Sequence, residues 1–237
     1  MGQQSKVIRV PFGLVEVDKK TKHALAVYIV VACKAAYAVH DKMTTKLSLL
    51  DIIYTIGLTP KAGKGRVNDQ IAIAVKTLRD LGYFEDAPDF IERGRLDMKR
   101  KYRYKVVVPT EIGSYVTITS NDIYKVAQAT RDSEKKLTFS YDVALRVLFT
   151  IKWKVIKNKS RSTMLSREKI SEIAGVSVGA VTAITNVLAS NDVMVIKKWL
   201  HWNGDKHAIA VYANCYDKKS WEHINESIKH YESHIGT

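Results

Sequence analysis

The sequence predicts a mainly α fold with small β hairpins, an α+β class, in which one unit occurs twice and a terminal helix follows. Three observations predict it. Apolar residues recur at helical spacing in three helices of each half of the 237 residues. The short middle helix of each half ends at a glycine. A hairpin pattern follows each third helix.

The elements follow in chain order. Val7–Val10 alternates like a short strand, and Tyr115–Thr119 does the same in the second half. A long apolar helix comes next, around Ala24–Ile29 in the first copy and Ala144–Phe149 in the second. A short helix then runs to Gly57 (LLDIIYTIGL) or to Gly175 (KISEIAGV). The third helix places Ile71, Val75 and Leu78, or Val181, Ile184 and Leu188, on one face. After it, Gly82-Tyr83-Phe84 leads through a basic segment to Val106–Val108. In the second copy Val193–Ile196 and Ala208–Tyr212 flank the turn Asn203-Gly204-Asp205. Asp217–His234 reads as an amphipathic helix with Trp221, Ile224, Ile228 and Tyr231 on one stripe.

The register of the two copies is consistent. Gly57 and Gly175 lie 118 residues apart and Leu78 and Leu188 lie 110 apart, so the first copy has 8 extra residues between its second and third helices. They fall in Thr59–Arg66 (TPKAGKGR), whose Pro and glycines mark a turn. The expected division is residues 1–110, 111–216 and a C-terminal helix over 217–237.

Lys and Arg number 38 against 24 Asp and Glu, a net charge of +14, which attracts polyanions. Two cysteines, Cys33 and Cys215, are too few for a disulfide framework or a four-cysteine metal site. The longest apolar run, Ala24–Cys33, is about half of what a bilayer span needs. No apolar run follows the charges of Met1–Arg9, so a cytoplasmic protein without membrane attachment is expected.

The segment Ile170-Ser171-Glu172-Ile173-Ala174-Gly175-Val176-Ser177, continuing to Val181 and Leu188, resembles the winged helix-turn-helix family of DNA-binding domains. The first copy matches with a longer turn, and together the copies span roughly Val7–Tyr216. The resemblance implies two winged domains and double-stranded DNA as the partner, with a homodimer left open. It implies that the glycine makes the turn, that Ser177 caps a recognition helix, and that Val181 and Leu188 hold that helix to the core. A helix of this kind fits the major groove.

With Val181, Ile184 and Leu188 inward, Gly179, Thr182, Ala183 and Asn186 face outward; Asn186 suits adenine, and Thr182 or Ala183 a thymine methyl. The matching outward positions of the first copy are Asn68, Asp69, Ala72 and Lys76, preceded by Lys61, Lys64 and Arg66. Asp69 would repel DNA there unless it accepted from a cytosine amino group. Arg93–Lys105 holds seven basic residues against Asp97, a net +6. Its Arg93, Arg95, Lys99, Arg100, Lys101 and Arg103 suit phosphate or minor-groove contact, with Tyr102 and Tyr104 interleaved. The second hairpin offers Lys197, Lys198, His201 and Lys206, with Trp199 and Trp202 expected in packing.

Catalytic chemistry finds no motif. Gly57–Lys64 (GLTPKAGK) has five residues between its glycines where a phosphate loop has four, and Gly65 stands where Ser or Thr should bind magnesium. His230 and His234 are four apart on a helix without a following Glu, and ordinary surface histidines explain them. Neither a Gly-x-Ser-x-Gly elbow nor a His-x-His pair occurs. No enzyme, cofactor or metal is expected. The function expected is sequence-specific binding of double-stranded DNA, as a transcriptional regulator. The alternatives are a plasmid or phage replication initiator binding origin repeats, and a winged-helix protein-interaction module.

Overall fold

The computed structural model describes residues 5–37, 43–90, 98–111, 114–131, 139–200, 208–213 and 217–235, with backbone alone for 131, 198–200, 208, 209, 231, 232, 234 and 235. The chain is a mixed α+β protein with small antiparallel sheets. It forms two compact units, Met1–Arg131 and Asp132–Thr237.

The first unit opens with β1 (Val7–Pro11) and α1 (Leu14–Lys20), followed by α2 (Ala24–Ala36), β2 (Thr44–Leu47), α3 (Leu49–Ile56) and α4 (Val67–Asp80). Then come β3 (Phe84–Asp86), β4 (Tyr102–Val106), β5 (Tyr115–Thr119) and α5 (Ser120–Arg131). The division therefore falls after residue 131, not after 110. The reason is strand pairing: β5 lies antiparallel to β1, Val7 opposite Thr119 and Pro11 opposite Tyr115. Ile8, Val10, Val116 and Ile118 bury one face of that pair.

The second unit repeats the rest: α6 (Tyr141–Lys157), β6 (Ser162–Ser166), α7 (Arg167–Ala174), α8 (Val178–Ser190), β7 (Ile196–Leu200) and β8 (Ala208–Ala213). The strand orders match as well, β2-β4-β3 in one unit and β6-β8-β7 in the other. Helix α9 (Lys218–Ile235) does not stand apart. Its Ile224 is buried with Val195, Val211 and Ala213 behind the second sheet, and Ile228 packs beside it.

Each core is built on the long helix. Residues Ala24–Ala32 of α2 are all buried, which explains a helix apolar on every side. Asp18 of α1 caps it, accepting from the Leu25 N–H at 3.0 Å. In α6, Leu145, Leu148, Phe149 and Ile151 have the same role. The two paired strands, β1 and β5, are each followed by a helix, α1 and α5, which apolar spacing does not reveal. The signal for α5 is instead a reciprocal cap, with Asp122 N–H donating to Thr119 Oγ1 at 3.1 Å and Thr119 N–H to Asp122 Oδ2 at 3.4 Å.

A second capping box starts α3. Asp51 N–H donates to Ser48 Oγ at 3.1 Å, and Ser48 N–H donates to Asp51 Oδ2 at 2.8 Å. The bond from the Ser48 N–H holds the Asp51 carboxyl below its usual value. A folded pKa below the unfolded one contributes stability that is full above the unfolded pKa and lost as pH falls through the folded pKa. Ser48→Ala is expected to cost about 1 kcal/mol at neutral pH. Asp51→Asn should also lower the urea midpoint at neutral pH, and its gap to the wild type should close as acid protonates the carboxylate. A gap constant with pH would rule out the charged cap.

Candidate nucleic-acid interface

In the second unit α7 and α8 are joined by Gly175, Val176 and Ser177, and the chain turns through 103° between them. That angle lies in the range of a helix-turn-helix pair. Gly175 has φ 64°, the left-handed region in which glycine ends a helix without strain. The Ser171 carbonyl accepts from the Gly175 and Val176 N–H groups, and its hydroxyl donates to the Val176 carbonyl at 2.5 Å. Arg146 of α6 donates to the carbonyls of Ala174 and Gly175, both at 3.3 Å. A guanidinium at the C-terminal end of α7 also suits the helix dipole.

Helix α8 begins at Ser177, whose Oγ accepts from the Ala180 N–H at 3.2 Å. Val181, Ile184, Thr185 and Leu188 are buried. Gly179 and Asn186 are exposed, and Thr182 and Ala183 are half-buried, so the expected phase matches the observed burial. Nothing lies within 4 Å of where a Cβ on Gly179 would stand, so packing within the chain does not demand a glycine there. The Thr182 hydroxyl is engaged: it donates to the Val178 carbonyl at 3.2 Å and accepts from Arg167 Nη1 at 3.0 Å. Arg167, at the start of α7, thus reaches the outer side of α8, and sequence spacing alone does not reveal it.

In the first unit the phase differs from the expected one. Asn68 and Ala72 are buried and do not face outward. The stretch between α3 and α4 is long, and the first turn of α4 is used to hold it. Asn68 Oδ1 accepts from the Lys61 N–H at 2.9 Å, and Asp69 Oδ2 accepts from the Gly65 N–H at 2.7 Å. Gln70 donates to the Gly65 carbonyl at 2.7 Å and lies 3.3 Å from His23 Nε2. Gly63 and Gly65 have φ of 118° and 69°, conformations that a side chain rarely adopts. Lys61, Lys64 and Arg66 are exposed on this loop. Lys76 bonds Asp89 at 2.9 Å and approaches Asp80 at 3.6 Å; these partners, Asp89 first, raise its pKa. The outward centre of α4 is Ile73, 40% exposed.

The basic segment before and along β4 is anchored on both sides. The Met98 carbonyl accepts from the Leu50 N–H at 3.1 Å. Tyr102 meets Phe90 edge-on at 5.2 Å, and Tyr104 is fully buried, so the interleaved tyrosines serve packing. Strand alternation then turns Arg103 and Lys105 outward, and Lys99, Arg100 and Lys101 are exposed beside them. Arg103 has Asp86 at 3.7 Å and Lys105 pairs with Glu85, all substantially exposed. Exposed pairs of this kind contribute little and leave the charges available to a polyanion.

Register adds a residue that the sequence reading missed. Exposed Lys46 on β2 stands directly opposite Arg103 on β4. Like charges in that position are unfavourable, and the Asp86 carboxylate 3.7 Å from Arg103 offsets part of that repulsion. In the second hairpin, Lys197 turns to α9: its Nζ bonds Asn225 Oδ1 at 2.5 Å and lies 5.6 Å from the Trp221 ring centroid. Arg93, Arg95, His201, Trp202, Lys206, Cys215 and the turn Asn203–Asp205 lie outside the described residues, as do the side chains of Lys198, Trp199, Tyr231 and His234.

Among the described residues no group of three His, Cys, Asp or Glu is placed to hold a metal ion, and no single helix is long and apolar enough to cross a membrane. Compared with known proteins, the chain matches no family model, no curated protein and no solved structure.

Proposed function

We propose that this chain is a sequence-specific double-stranded DNA-binding protein, acting as a transcriptional regulator. Its two units are read as winged helix-turn-helix domains. The observation that carries this is α7 and α8, two helices set at 103° across three residues, with a capped N-terminus and a small outward face. No acidic residue occurs in α8, and the exposed Gly179 leaves room for close approach of a DNA backbone. The hairpin that follows two helices in each unit supports the same reading. The net charge of +14 supports a polyanion over a purely protein-binding role.

The test is selection of bound sites from random duplex DNA. Asn186→Ala is expected to cost roughly 1–3 kcal/mol on the selected site and little on scrambled sequence. Gly179→Ala should leave the chain at least as stable, since alanine favours a helix by about 1 kcal/mol over glycine, while weakening the selected site. Failure to enrich any sequence overturns the proposal. A single site overlapping a promoter supports regulation, whereas repeats clustered at a replication origin would replace the regulator with an initiator.

A further inference from the structure

Resting on the DNA-binding reading above, we infer that the two units divide the contact with DNA: the loop between α3 and α4 grips phosphates whatever the base sequence, and base reading belongs to α8. The reason lies in how the polar side chains of α4 are used. Asn68, Asp69 and Gln70, which would reach into a groove from the first turn of an inserted helix, are all bonded back to the loop backbone. Asn68 is also buried. One turn and more further along, Lys76 and Arg79 share Asp89, whose side chain is only 6% exposed. At the centre of the outward face stands Ile73, which offers a base edge no hydrogen bond.

Charge points the same way. Asp69 occupies the first turn of α4, where a phosphate would otherwise meet the helix N–H groups. Asp80 lies exposed at the other end. An inserted α4 would therefore bring carboxylates toward phosphates. The loop is the reverse case. Lys61, Lys64 and Arg66 are exposed within six residues, and none of their side chains forms an ion pair among the described residues. Three consecutive side chains of α4 hold the loop backbone in place, so these cations are presented on a preformed frame and little ordering entropy is lost on contact. Cations that meet phosphates give affinity without sequence information.

The experiment uses the full-length chain and random duplex DNA. Wild type, the triple variant Lys61→Ala, Lys64→Ala, Arg66→Ala, and Ile73→Glu are each put through selection, then titrated with the selected and a scrambled duplex at several salt concentrations. The triple variant is expected to select the wild-type consensus. It should lose the same factor in affinity on both duplexes, to within about twofold, and its salt slope should fall by about 1 for each cation removed. Ile73→Glu should keep the consensus and lose less than about threefold on either duplex. Loss of consensus positions in either variant would show that the first unit reads bases and would overturn the inference alone. A wild type that binds no duplex overturns the DNA-binding reading, and this inference with it.

Discussion

Raising salt from about 50 to about 200 mM is expected to weaken duplex binding by a factor on the order of a thousand or more, as counterions released on binding are paid back to the DNA. The cations responsible are named by exposure. Lys61, Lys64 and Arg66 occupy the loop, and Lys99, Arg100, Lys101 and Arg103 the anchored basic segment. Their backbones are held by Asn68, Asp69 and Gln70 in one place and by Leu50 and the buried Tyr104 in the other. If roughly six to ten phosphates are met, the logarithm of affinity falls by about 0.9 per phosphate for each tenfold rise in salt. The measurement is a titration of one duplex at a series of salt concentrations. A binding constant nearly flat in salt would mean that the exposed cations meet no phosphates, and the interface would have to lie elsewhere.

Phe84→Ala should destabilise the first unit by about 3–5 kcal/mol, the range for emptying an aromatic site in a core. Phe84 lies parallel to Tyr28 at 5.9 Å and edge-on to Tyr104 at 5.8 Å, and all three rings are essentially buried. Burial also lifts the hydroxyl pKa of both tyrosines well above its usual value, so they stay neutral. Tyr28 uses its hydroxyl to tie α2 to the segment after β4, donating to the Val107 carbonyl at 3.2 Å. The cluster thus joins α2, β3 and β4 in one packing unit. All 4 tryptophans lie beyond residue 131, so tryptophan emission follows the second unit, and unfolding of the first is followed by amide exchange in α2, α4 and β4. Phe84→Leu keeps most of the apolar area and loses the ring pairs, about 0.5–1.5 kcal/mol each. If Ala and Leu cost the same, cavity formation is not what the site opposes.

What the amino-acid sequence determined by itself is the local structure and its repetition. The spacing of Ile71, Val75 and Leu78, and of Val181, Ile184 and Leu188, marks the third helices, because each apolar contact recurs within one or two turns. Gly57 and Gly175 mark helix ends, with φ of 83° and 64°, since the left-handed conformation is a property of the residue itself. Tertiary structure decided the rest. The pairing of β1 with β5 joins distant strands and moves the unit boundary past α5, which no local pattern requires. Lys46 meets Arg103 only because a register brings them together. The outward phase of α4 failed at Asn68 and Ala72 because helical spacing gives a face but not its partners. A polar side chain at a helix start can turn to solvent or bond a nearby backbone, and the loop from Lys61 to Gly65 offered Asn68, Asp69 and Gln70 the second choice.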